Sequence, residues 1–228
     1  MKIKRILITV LVMILAGGAS GCMGERKQNS NEAALAYMEQ KYGEPFEYAG
    51  SWGNSLSGTH ELLVRCDSLQ DAVLVEIENY RSDNPVFRDN YLAVKYEGET
   101  RAFLEQCALS VFGEAAVYYS AIRTGLSEDL AADASFEEYL ADTRAPLSIL
   151  VEVPAGSFSS DDQARALGEA VAAAGCHFRL TLMVVEDGVY GTLDREALSE
   201  KIGLRDFVHC AEVRSLGSGL TVSWLGRE

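Results

Sequence analysis

Residues Leu147–Val185 read LSILVEVPAGSFSSDDQARALGEAVAAAGCHFRLTLMVV, and this stretch decides the fold. Leu147–Val153 is a short apolar run closed by Pro154, the length and ending of a strand. Ser160-Asp161-Asp162-Gln163 follows with the form of a capping box, in which Ser caps and Gln reaches back. The helix it opens runs to Ala174 and stops at Gly175. Phe178–Val185 then alternates, with Phe178, Leu180, Leu182 and Val184 on one face, the period of a second strand.

Downstream, Asp194 can cap a helix ending at Gly203. Phe207–Val213 and Leu220–Leu225 then read as a hairpin joined through Ser215–Gly219. The order β-α-β-α-β-β over residues 146–228 predicts helices on one face of a sheet, an α+β arrangement. Upstream, residues 31–42 carry Ala34, Leu35, Met38 and Tyr42 at helical spacing before Gly43. Pro45–Trp52, His60–Cys66 and Ala72–Tyr80 read as strands, the last with Val73, Val75 and Ile77 inward. Tyr91–Tyr96 suits a strand or a short helix equally. Glu99–Phe112 predicts a helix with Phe103, Cys107 and Val111 on one side. Ala115–Ile122 reads as a strand and Phe136–Leu140 as a short helix. Pro146 is the expected junction between two small α+β subdomains, 33–145 and 146–228, each with helices on mixed or antiparallel strands.

The first residues concern location. Met1-Lys2-Ile3-Lys4-Arg5 is basic, Ile6–Ala16 is apolar, and small residues lead to Cys22. These are the n-region, h-region and exit of a secretory signal, and the run is shorter than the roughly 20 residues that span a bilayer. Ala19-Ser20-Gly21-Cys22 resembles the lipobox of bacterial lipoproteins, with Ala19 where Leu is usual. The resemblance implies a diacylglyceryl group on Cys22, cleavage just before it, and a domain held at the extracytoplasmic face of a cell membrane. Residues 1–21 would then be the signal and 22–32 a polar, lipidated tether. Several acyl chains anchor durably where one binds only marginally.

Removing three basic residues and no acid takes the net charge from −14 to −17. Such a chain repels phosphate backbones, which excludes nucleic acid as an expected partner. Cys66, Cys107, Cys176 and Cys210 leave two readings open: disulfides Cys66–Cys107 and Cys176–Cys210, or free buried thiols. Cys176-His177 and His209-Cys210 lie at strands, where neighbouring side chains diverge, and so make a poor zinc set. Asp83-Asn84 with Asp89-Asn90 lacks the spacing of a calcium loop and reads as turn chemistry. Glu137-Glu138 and Asp161-Asp162 suit helix first turns. No catalytic signature, metal set or cofactor motif stands out. The expected function is therefore a tethered module binding an envelope component, peptide or protein, through a surface containing Trp52, Tyr80, Tyr91, Tyr96, Tyr118 and Tyr119. The alternative is a cell-envelope hydrolase with an unrecognised acid or cysteine site.

Overall fold

The computed structural model describes residues 30–54, 59–123, 126–127, 130–142, 146–204, 206–216 and 219–226. The expected signal, Cys22 and most of the expected tether lie outside these residues. Helix α1 (Ser30–Tyr42) ends at Gly43, whose φ of 71° is the left-handed stop its sequence position implied. Strands β1 (Glu47–Asn54), β2 (His60–Arg65), β3 (Val73–Glu78) and β4 (Val86–Asp89) form an antiparallel sheet in chain order. Its inner face carries Leu62, Val64, Val73, Val75 and Ile77, which bury against Ala34 and Met38 of α1. Strand β4 has no counterpart in the sequence reading.

The ambiguous segment is a helix, α2 (Tyr91–Lys95), leading into α3 (Glu97–Phe112). The buried side of α3 carries Thr100, Leu104, Cys107, Ala108 and Phe112. It is rotated from the expected face, leaving Phe103 and Val111 only half-buried.

The second sheet runs β5 (Ala116–Tyr119), β6 (Leu147–Pro154), β7 (Phe178–Val185), β8 (His209–Ser215) and β9 (Leu220–Trp224). Strands β6 and β7 are parallel and joined through helix α5 (Asp162–Ala172), while the other pairs are antiparallel. Helix α4 (Phe136–Leu140) precedes β6 and carries a full capping box between Ser135 and Glu138. The fold is thus α+β, with one antiparallel and one mixed sheet.

Two expectations need correction. The junction at Pro146 falls inside the second sheet, because β5 precedes it and pairs with β6 beyond it. One hydrophobic core also runs from Ala34 to Val213 across both proposed halves. Nor do the helices of the second half share a face. Ile149, Val151, Leu180, Leu182 and Val213 pack with Ala164, Leu167 and Val171 of α5. Leu150, Met183 and Val185, on the opposite face, pack with Leu198 of α6 (Arg195–Leu204). At the start of α5 only half of the expected capping box forms: Gln163 Oε1 accepts from the Ser159 and Ser160 amides, at 2.6 and 3.3 Å. Asp194 does cap α6, accepting from Ala197 N at 2.9 Å.

Candidate binding surface

Strand β1 (EYAGSWGN) holds two glycines and a single charged residue, a weak strand by composition that is defined by its pairing with β2. Tyr48 faces Val64 and Gly50 faces Leu63, so Ala49 is an extra residue; Ser51 faces Leu62 and Gly53 faces Glu61, so Trp52 is another. Such bulges bend an edge strand and re-aim a side chain. Trp52 is 53% exposed and Tyr48 45% exposed, the Tyr48 hydroxyl lying 3.0 Å from Ser51 Oγ. Among the described residues no strand pairs with the outer edge of β1. Tyr48 was not among the aromatic residues the sequence singled out; its place four residues before Trp52 on one strand was the available signal.

The other candidate aromatics do not form this surface. Tyr80 is half-buried, its ring 5.7 Å from that of His60 with the Arg81 guanidinium over it at 5.1 Å. Tyr91 is buried, stacked on Tyr42 at 3.8 Å, and its hydroxyl donates to Glu44 at 2.7 Å. The Tyr96 hydroxyl donates to the Ala134 carbonyl at 2.7 Å. The Tyr118 hydroxyl lies 3.0 Å from Glu152 Oε2 and 3.1 Å from the Leu193 carbonyl, with its one proton within reach of either, and Tyr119 shares a 2.8 Å bond with Tyr139. Tyr91, Tyr96, Tyr118 and Tyr119 lend rings to the core and satisfy their hydroxyls inside it. Trp52 alone of the six is a strongly exposed aromatic.

A second polar centre lies at the end of β4, where the Asp-Asn pair read as turn chemistry is buried instead. Asp89 Oδ2 accepts from Tyr37 Oη and Lys41 Nζ, both at 2.8 Å. Asp89 Oδ1 accepts from Tyr42 Oη at 2.6 Å and from the Tyr91 amide at 3.0 Å. Burial and the neighbouring Asp89 carboxylate push the Tyr42 hydroxyl far above its usual range. Asn90 accepts from Leu74 N at 2.6 Å and donates to the Ala121 carbonyl at 3.2 Å. The space beside this cluster, lined by Lys41, Tyr42, Asp89, Asn90, Ser127 and Tyr139 among others, has room for about one water. Its carboxylate is fully engaged, so its chemistry is that of a clamp holding α1 to the sheet.

The four cysteines Cys66, Cys107, Cys176 and Cys210 stand as free thiols, Cys66 half-buried and the other three buried. Cys66, at the end of β2, lies 3.4 Å from Ser68 Oγ, whereas Cys107 sits on the buried side of α3 within electrostatic reach of Cys176. Burial pushes the Cys176 and Cys210 thiols up to about 11 and raises Cys107 as well. Thiols so held are protonated at neutral pH and poor nucleophiles. Among the described residues no group of three or more His, Cys, Asp or Glu is placed to hold a metal. No described helix is long and apolar enough to cross a membrane. Comparison with protein-family models, curated proteins and solved structures returns no match.

Proposed function

We propose that this chain is an exported binding module, tethered to a membrane by a lipid on Cys22 and engaging an envelope component through the β1 edge. The tether reading is supported by the basic start, the apolar run Ile6–Ala16 and the small residues before Cys22. The binding reading is carried by one observation: Trp52, an exposed aromatic, stands on the extra residue of a bulge in an open edge strand. Trp and Tyr are the residues most enriched among those that carry binding energy at recognition surfaces, and here two of them, Tyr48 and Trp52, stand exposed on one edge strand. Helix α1 begins within ten residues of Cys22, and the Lys41–Asp89 clamp fastens that helix to the sheet bearing β1. A pull on the tether therefore reaches the folded domain through a buried ion pair.

The test is the intact mass of the chain extracted from membranes, beside a Cys22→Ala variant, followed by photo-crosslinking from position 52 in intact cells. A mass beginning at Cys22 with an added diacylglyceryl group, lost in the variant, is expected together with a crosslinked envelope component. A full-length, unlipidated chain with no crosslink would overturn the proposal.

A further inference from the structure

We infer that the β1 edge receives a neutral glycan chain, with Trp52 and Tyr48 as the rings on which its sugars stack. The inference rests on the binding-module reading and names the class of partner. Three candidate partners compete for an exposed edge strand: an extended peptide, a second copy of this chain, and a ligand that needs no ladder. The first two would add a strand, and strand addition requires a regular row of amide donors and carbonyl acceptors. Two bulges between Tyr48 and Gly53 interrupt that row and increase its twist, the device by which edges resist pairing. The backbone of β1 is thus poorly suited to another strand while its aromatics remain presented.

Charge narrows the class further. Tyr48–Asn54 carries no charged residue in a chain of net charge −14. An anionic polymer meets long-range repulsion and finds no cation on the strand, and the one acid of β1, Glu47, stands at its start, outside the run that carries both exposed rings. A neutral pyranose chain fits what is present. Its C–H faces pack on aromatic rings, whose faces are electron-rich. Its hydroxyls bond adaptable groups of the kind β1 offers in the Tyr48 and Ser51 hydroxyls and in the backbone of an edge that no described strand pairs. Tyr48 and Trp52 are separated by at most about 13 Å along an extended strand. One sugar touches one ring, and a chain is needed to engage both.

The experiment uses the full chain in detergent micelles with a panel of neutral hexasaccharides of glucose, mannose or N-acetylglucosamine. The chain has two tryptophans, so a Trp224→Phe variant of unchanged circular dichroism makes the fluorescence report on Trp52. At least one hexasaccharide should give a saturable shift and bind about tenfold more tightly than its monosaccharide. By calorimetry, Trp52→Ala and Tyr48→Ala in the otherwise unaltered chain should each weaken binding by about fivefold or more, the range of a truncated aromatic anchor. Failure of every hexasaccharide to bind below about 1 mM, or equal binding by Trp52→Ala, would overturn the inference. Concentration-dependent dimerisation that is lost in Trp52→Ala would overturn it in favour of a second copy. A lipidated chain that crosslinks from position 52 to an envelope protein but binds no sugar would overturn the glycan alone, leaving the tethered module standing.

Discussion

Lys41 Nζ lies 2.8 Å from Asp89 Oδ2, joining the last turn of α1 to the last residue of β4. The side chains are 15% and 2% exposed, so the pair is largely withdrawn from water. Its neighbour on the same strand, Arg88, bridges Glu76 and Glu78 at 3.1 and 3.0 Å in a far more open setting. Removing one partner of a buried pair strands the other, at about 3–5 kcal/mol, whereas exposed pairs are worth about 0–1 kcal/mol. Asp89→Ala should therefore lower the urea midpoint severely, Asp89→Asn less, and Arg88→Ala slightly. Equal small losses for Asp89→Ala and Arg88→Ala would show that the clamp does not hold α1.

Stability should respond to pH at both ends of the scale. Burial disfavours the charged form of Glu44, but hydrogen bonds donated by Tyr91 and Ser68 outweigh it, and the carboxyl sits below its ordinary 4.5. A depressed folded pKa contributes stability that is present above 4.5 and lost as pH falls through the folded value. The advantage of the native chain over Glu44→Gln should shrink between about pH 5 and pH 3 in denaturant titrations. At the alkaline end Tyr91 and Tyr118 are pushed up to about 12, by burial first, with Glu44 and Glu152 adding to it. Here the folded state keeps its protons, so stability is lost as pH rises from about 10 through 12. Ultraviolet titration should show these tyrosines ionising late in the folded protein and normally once it is unfolded.

Thiol accessibility offers an independent check on the core. In a Cys22→Ser background, an aromatic disulfide reagent should modify Cys66 promptly. Cys107, Cys176 and Cys210 should react only on unfolding, because they are buried and their thiols are raised. Prompt reaction of a second thiol in the folded chain would contradict the burial described for the other three.

Legibility of the fold in the sequence followed how local the cause was. The alternation of Val73, Val75 and Ile77, the glycine stops at Gly43, Gly113 and Gly175, and the Asp194 cap are local, and each marks its element correctly. Strand β4 is four residues long and polar at Arg88 and Asp89; only pairing with β3 makes it a strand. The placement of α6 opposite α5 was legible in principle. The run ILVEV is buried on both faces, and a strand covered on both faces reads as a continuous apolar run rather than an alternating one. The Asp89 clamp was not legible, because Lys41, Tyr37 and Tyr42 reach it from 47 to 52 residues away. Nor could tyrosine's residue type separate Tyr119, buried against Tyr139, from Tyr48 at the open edge.

Thr100 marks a place where the core can be improved. It is fully buried on α3, and its Oγ1 has no hydrogen-bond partner among the described residues. A buried hydroxyl without a partner forfeits its bond to water and receives nothing in exchange, at about 1–3 kcal/mol. Valine has nearly the same shape and a similar helix propensity, so Thr100→Val keeps the packing while removing the stranded group. The expected gain is about 1 kcal/mol, read as a raised urea midpoint with an unchanged slope. Thr100→Ala should lose stability instead, because it removes the hydroxyl but leaves a void beside Leu104 and Ala108. If Thr100→Val is also destabilising, the hydroxyl has a partner in solution, and α3 is held to its neighbours by a polar contact rather than by packing alone.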